Sequence, residues 1–552
     1  MRQLSKMRQP FSDNPDSGQI TVFLSLVFLL LMSTCFVMIE GVREYMIGAL
    51  CDDALQVAAE NVLANYDRPL FEQYHLFFLD PREKRQIRQD GIDSLEKYFH
   101  ESSFFGFYCQ SLSVKGIDAA PDREGKILKH EIREWMKYRN SWDEDWMDRV
   151  QKMYDSYGQA EKASDNFASE LVNARDDEPA SLSSDELSAE PSAQAIQWKS
   201  IKESMDIYQD SDILLACLPS GRALSYLQAD LSDLPSAGNK GLGSGPGKDQ
   251  IMSGAFNHIY TIANLFPKEQ MAKEDRNLFG KESYIMAYLE EHFHSFDREV
   301  SGKPASYSGH LAGTSVKTAG IRLMSEKKAG GTKEESGRES KALKYEMEYM
   351  INGKASDIEN LRRTFARIFH LRFLVNYSYA RTEGDLWSEA GWIALEAAGQ
   401  DGLSGNPEAG RLYLIGAAAY GQTLIDMRRL LAGKKVAIIP SHGSWQVNYD
   451  NLAMILRNRS VPDGPSGDIS YGDYLKYFLM SEGMSRIRCG RMMDVMQMNV
   501  RLSEKDFTMK NSLFSFRWEA DLRSRKWFPA IPGLNLLTGT EMRLNMTKVN
   551  TY

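Results

Sequence analysis

Between Ile20 and Ile39 the chain reads ITVFLSLVFLLLMSTCFVMI, a run of roughly 20 uncharged and mostly apolar residues. At about 1.5 Å rise per residue, a helix of that length crosses a hydrocarbon core about 30 Å thick. Everything else in the chain must then lie on one side of a membrane or the other. Arg2, Lys6 and Arg8 precede the run with Asp13 and Asp16; Glu40, Arg43, Glu44, Asp52 and Asp53 follow it. Orientation follows Lys and Arg near the span. This predicts a cytoplasmic tail over 1–19, a transmembrane helix over 20–39 anchored in the lipid bilayer from Ile20 to Ile39, and an extracellular bulk. A cleaved secretory signal would carry a shorter apolar region, about 7–15 residues, and a small-x-small site. Met38-Ile39-Glu40 is a poor one, so the span reads as a retained anchor. Val42, Tyr45, Met46, Ala49, Leu50, Ala54, Leu55, Ala58, Val62 and Leu63 continue at helical spacing, and no Pro interrupts until Pro69. One long helix is expected, apolar all round in lipid and amphipathic beyond it.

Charge and cysteine usage remove several function classes. The net charge is −9 with 26% charged residues, so no basic face argues for nucleic acid. Cys35, Cys51, Cys109, Cys217 and Cys489 are scattered, with no C-x-x-C, which removes the usual zinc and redox signatures and a dense disulfide framework. A chain of 552 residues is long enough for two or more domains at about 150 residues each.

The expected fold class is helix-rich α+β, with lobes outside the membrane. Residues 40–160 read as the juxtamembrane helix and a first lobe. Phe71, Tyr74, Phe77 and Phe78 pack it, Leu112 and Val114 mark a short strand, and Ile127 to Tyr157 is helical with Ile132, Trp135, Met136, Trp142 and Trp146 on one face. Residues 161–197 are acidic and poor in bulky apolar side chains, which predicts a disordered linker. Residues 198–300 are a helical segment interrupted by a Gly-rich linker at 234–248, and 301–340 is a third flexible connector.

Residues 341–552 read as a C-terminal α+β domain. Leu343, Tyr345, Met347, Tyr349 and Ile351 alternate with Lys344, Glu346 and Glu348, the period of a half-buried strand, and Asn352-Gly353 predicts a turn. Ser356-Asp357-Ile358-Glu359 has the spacing of a capping box opening a helix to about Tyr379. Further helices are expected at Leu386 to Ala398, Arg411 to Leu431, Tyr471 to Met484 and Arg491 to Ser503. Strands are expected at Val436 to Ile439, Phe514 to Leu522 and Met542 to Met546.

No residue is assigned a catalytic, cofactor-binding or metal-binding role. Gly241 to Lys248 resembles a phosphate loop only superficially, since Leu242 and Asp249 stand where Gly and Ser or Thr are needed. Glu290, Glu291, His292 and His294 gather carboxylates and imidazoles, but histidines two apart diverge on a helix, so a surface pair is expected. Ser441-His442-Gly443-Ser444-Trp445 lacks G-x-S-x-G and reads as a turn leaving a strand. Met480, Met484, Met492, Met493, Met496 and Met498 at helical spacing read as core. Arg523, Arg525 and Lys526 beside Trp527 form a small basic cluster that reads as a solvated loop, with anionic lipid or cell-wall polymer as the other option.

Two resemblances are carried by particular stretches. Gly18-Gln19-Ile20-Thr21-Val22-Phe23-Leu24, the span, Gly41-Val42-Arg43 and Asp53-Ala54 with Ala58-Ala59 resemble the N-terminal segment of TadE/TadG-type minor pilins of tight-adherence systems. The wider pattern resembles the DUF5702 family of Gram-positive membrane proteins. It is carried by GQITVFLSLVFLLL, AAENVLANYDRPLFEQYHLFFLD, LKYEMEYMINGKASDIENLRRTFARI, LLAGKKVAIIP, SYGDYLKYFLM and RMMDVMQMNVR. The resemblance implies a structural or accessory, pseudopilin-like component of a Tad-like pilus or secretion apparatus, with protein partners in that complex. It also marks Gly18 and Gln19 as a possible processing site, although cleavage there would put Phe23 at the fifth mature position, where pilins carry Glu. The alternative is an anchored cell-surface hydrolase, with His442 and Ser444 first in view, or a receptor of unknown ligand.

Overall fold

The computed structural model describes residues 15–79, 84–101, 106–137, 139, 146, 148–160, 192–208, 212–220, 222–236, 276–298, 342–397, 406–458, 464–481, 484, 486–527 and 541–551. The expected tail up to residue 14, Trp142, the acidic stretch 161–191, Gly241 to Lys248 and the connector 301–340 lie outside the described residues. The chain divides into two compact units, each drawn from separated stretches. Unit 1 is Met1–Asp67, Phe77–Ala120 and Asn511–Tyr552; unit 2 is Arg68–Leu76 and Pro121–Lys510.

Unit 1 is built on α1 (Pro15–Leu63), a single helix of 49 residues. Most large side chains of its first half, Ile20, Phe23, Leu29 and Ile39 among them, are exposed and Val27 and Phe36 half-buried, whereas Ile47, Cys51, Ala54, Leu55, Ala58, Ala59 and Val62 are fully buried. The buried set recurs every three or four residues, so it forms one stripe. Against it pack Ile87, Leu95 and Phe99 of a second long helix (Lys84–Glu101) and a three-stranded antiparallel sheet. The strands are β1 (Phe107–Ala119), β2 (Leu513–Arg525) and β3 (Glu541–Thr551) in that order. Leu112 pairs with Ala520 and Val114 with Trp518; Ala520 pairs with Met546 and Leu522 with Leu544. Phe516, Trp518, Ala520 and Leu522 point into the core, and Arg517 and Glu519 between them do not, the alternation expected of a half-buried strand.

Unit 2 is helical. In chain order it contains α2 (Arg68–Tyr74), α3 (Lys126–Met136), a helix over 148–160, α4 (Ala193–Asp206), α5 (Ile213–Cys217), α6 (Arg276–His292), α7 (Glu346–Asn352), α8 (Asp357–Thr382), α9 (Gly384–Ala397), α10 (Pro407–Leu431), α11 (Tyr449–Arg457), α12 (Tyr471–Ser481) and α13 (Arg486–Val500). At its centre α10 is buried on every side from Leu412 to Leu431 and packs against α8 and α9. Asn406 caps it, accepting the Glu408 N–H at 3.0 Å, and Pro407 occupies the first turn, where its missing N–H costs nothing.

Four expectations are corrected. Residues 343–351 do not form a strand: Glu346–Asn352 is the helix α7, and every residue of it is buried. The two-residue alternation misled because its polar members are not on a solvated face. Glu346 accepts the His294 N–H at 2.7 Å and the Asn499 amide at 2.5 Å, and Glu348 accepts the Phe296 N–H at 2.9 Å. The expected turn at Gly353 is the left-handed residue that ends this helix, with φ +65. The capping box does not close, since Ser356 occupies the N-cap position without a side-chain bond. Its neighbour Asp357 turns inward instead, accepting the N–H groups of Lys344 and Tyr345 at 3.0 and 3.1 Å and the Ser225 hydroxyl at 2.5 Å. Val436 to Ile439 makes no sheet strand, only an isolated bridge between Val436 and Ile469. The helical stretch from Trp198 breaks after Asp206 and resumes only as the short α5.

The units also divide the chain differently from the expected 341–552 domain. Residues 511–552 belong with α1, because β2 finds its partner strand in β1, far upstream.

Candidate functional site

The loop expected to be nearest to a nucleophile site, Ser441 to Ser444, forms one wall of a cavity of about 370 Å³ in unit 2. Its floor is charged. α8 supplies Arg372, with Asn376 one turn on behind it, and α10 supplies Gln422 and Asp426; each pair is four residues apart and so lies on one helix face. Arg372 Nε and Nη2 lie 3.0 and 2.6 Å from Asp426 Oδ2. Its Nη1 donates to the carbonyls of Ala437 (2.7 Å) and Ile438 (3.1 Å), and Nη2 also reaches Asn376 Oδ1. Asn376 Nδ2 donates to Asp426 Oδ2 at 2.9 Å, and Gln422 Nε2 to Oδ1 at 3.1 Å. All five N–H directions of the guanidinium are used. Burial alone would lower the Arg372 pKa, but Asp426 together with the neighbouring Tyr474 and Tyr157 outweighs it and raises the value above the usual arginine range.

This network ties the cavity floor to the 436–438 backbone. Gly467 completes the wall: any Cβ there would collide with the Val436 carbonyl, so only glycine lets the two strands of backbone approach. On the rim, Ser444 Oγ accepts the Ser441 N–H at 2.8 Å and donates to the Ser441 carbonyl at 3.2 Å. The exposed His442 makes no hydrogen bond to either serine. The nucleophile and base of an acyl-transfer site are therefore not brought together.

A second cavity of unit 2, about 390 Å³, is lined by Trp146, Glu290, Asp297, Arg298, Asp473 and Lys476 among others. Lys476 Nζ sits 3.2 Å from Glu290 and 3.3 Å from Asp473, with the Trp146 ring centroid 5.0 Å away; Arg298 Nη1 reaches Glu290 at 3.0 Å. Lys476, Arg298, Glu290 and Asp473 are thus paired among themselves.

The expected surface cluster Glu290, Glu291, His292 and His294 is scattered by its helix. His292 is buried rather than exposed: Nδ1 donates to the Tyr288 carbonyl at 3.0 Å, which leaves Nε2 to accept from His75 Nδ1 at 3.0 Å. His75 in turn stacks on Trp135 at 4.4 Å, and burial, aided by Arg139, lowers its pKa. Glu291 pairs with Arg139, and His294 lies past the helix end. Among the described residues no group of three His, Cys, Asp or Glu side chains could hold a metal ion.

The remaining candidates fall in place readily. Met480, Met484, Met492, Met493, Met496 and Met498 are all buried in the core of unit 2. All five cysteines are free thiols, and burial pushes those of Cys51 and Cys217 up to about 12, so neither is an ionised nucleophile. Gly18 and Gln19 lie near the start of α1. Ile20 and Ile39 are both exposed, and among the described residues α1 is the one helix long and apolar enough to cross a membrane.

The basic cluster at the end of β2 is no solvated loop. Arg523 pairs with Asp521 and Glu541, and Lys526 is buried 3.7 Å from Glu44. Sequence reading missed the buried polar residues altogether: Arg372, Asp426, Glu346, Glu348 and Asp494. Asp426 carried one available signal, a lone carboxylate in the apolar run LIGAAAYGQTLIDM.

A sequence model described as a family of unknown function (DUF5702) matches residues 192–524. No curated protein and no solved structure matches the chain.

Proposed function

The chain belongs to the DUF5702 family, and from that premise we propose that it is a membrane-anchored structural protein, a pseudopilin-like or accessory component of a Tad-like pilus or secretion apparatus. The observation that carries this reading is the division of labour along α1. In its first half the large apolar side chains are exposed apart from the half-buried Val27 and Phe36, and its second half is the core of a folded unit. One unbroken helix joins the two halves, the arrangement expected of a retained anchor. In this reading the tail 1–19 is cytoplasmic and both units lie outside the cell, as the placement of Arg2, Lys6 and Arg8 favours. The resemblance of residues 18–24 and the span to TadE/TadG-type segments supplies the apparatus.

Nothing in the geometry favours the hydrolase alternative, since Ser444 Oγ is engaged with Ser441 and His442 lies apart. Cross-linking in native membranes tests the proposal. It predicts recovery of a pilus or secretion component linked to this chain; repeated recovery of none would sink the assembly reading.

A further inference from the structure

The junction between α1 and the sheet of unit 1 has a specific construction at the end of the apolar run. Arg43 and Glu40 are 3% and 4% exposed. Arg43 Nε and Nη2 lie 3.1 and 2.6 Å from Glu40 Oε1, Nη1 donates to Ser524 Oγ at 3.2 Å, and Nη2 donates to the Arg525 carbonyl at 2.8 Å. The end of β2 is thereby fastened to α1 within one turn of Ile39. Lys526, paired with Glu44, adds a second fastening. On the rest of the helix surface the apolar character does not stop at Ile39. Val42, Tyr45 and Met46 are exposed by 61%, 82% and 46%.

These facts constrain where the bilayer ends. Charged groups close to hydrocarbon are tolerated when paired and hydrogen-bonded, as Arg43 and Glu40 are. The outward apolar side chains carry the lipid-compatible surface about two turns past the span. At that same level Trp527 is 43% exposed, with Arg43 Cζ 5.2 Å from its ring centroid, and Arg525 is exposed beside it. Trp and Tyr are the side chains that favour the headgroup layer, where one part of the ring is wet and the rest apolar.

We propose that the β2 end of unit 1 rests in the headgroup layer of the bilayer, with Trp527 and Tyr45 as interfacial aromatics and Arg525 facing lipid phosphate. The inference rests on the reading of α1 as a membrane span. The sheet is then seated on the lipid surface and not held away from it on a bare stalk.

The test uses the full-length chain reconstituted in phosphatidylcholine vesicles whose lipids are brominated near the carbonyl end of their acyl chains. The Trp527 signal is taken as the difference between the wild type and Trp527→Phe, a change that keeps an aromatic ring in place. The expected result is loss of at least about half of that difference signal to brominated lipid, with weak quenching by aqueous iodide. In the same vesicles, Cys35 within the span is followed by mass spectrometry for reaction with a membrane-impermeant maleimide. A Trp527 signal untouched by brominated lipid while Cys35 stays protected overturns the headgroup contact and leaves the anchor intact. Reaction of Cys35 overturns both.

Discussion

Glu348 places both of its hydrogen bonds on one oxygen. Oε1 accepts from the Phe296 N–H and from the Tyr471 hydroxyl at 3.0 Å, while Oε2 is buried with no partner. Burial pushes the carboxyl up to about 8 from an ordinary 4.5, so the group is protonated at neutral pH. The folded state holds this proton more tightly than the unfolded chain does. Its stabilising effect is therefore complete below the unfolded value and is lost as pH rises through about 8. Glu348→Gln, which imitates the protonated acid, is expected to flatten the fall in denaturation midpoint from about pH 5 to about pH 9 in the detergent-solubilised chain. The Arg372–Asp426 pair behaves differently, because both charges are buried and each satisfies the other. Removing one partner with Asp426→Ala leaves an uncompensated guanidinium, and an unfolding free energy lower by about 3–5 kcal/mol is expected in denaturant titration. At the cavity rim, Ser444→Ala and His442→Ala together are expected to leave surface phenotypes and assembly unchanged. A loss of activity on any cell-surface substrate would revive the hydrolase reading.

The strand β2 was legible because one of its faces meets a core and the other meets water, as Phe516, Trp518, Ala520 and Leu522 show against Arg517 and Glu519. The long helix was legible for the same reason, with its change of character near residue 40. The helix α7 was not, because a two-residue period in a wholly buried segment carries no information about faces. The candidate site was legible only as a turn: its floor joins residues 54 positions apart, and nothing local pairs Arg372 with Asp426. The two halves of α1 make separable predictions. Ala58→Asp buries an unpaired carboxylate in the core of unit 1 and is expected to unfold that unit, read as rapid limited proteolysis, without releasing the chain from membranes. Leu29→Asp falls in the exposed apolar half, where it costs insertion about 2.5–3.5 kcal/mol, and is expected to lower the membrane-integrated fraction.

At the scale of the whole molecule, unit 1 is made of the two ends of the chain. β1 and β3 flank β2, and residues 511–552 must be present before the helix stripe from Ile47 to Val62 has its full partner. The family match reaches into β2 at residue 524, so it takes in most of unit 2 together with the strand at the centre of this sheet. The buried stripe of α1 runs from Ile47 to Val62, beyond the apolar run, so the second half of the helix is structural whatever its first half does. The most direct measurement is the mature N-terminus of the protein taken from native membranes, determined by mass spectrometry. The account predicts a chain that retains the whole span, beginning near Met1 or, after pilin-type processing, at Gln19. A chain beginning beyond Ile39 would contradict it.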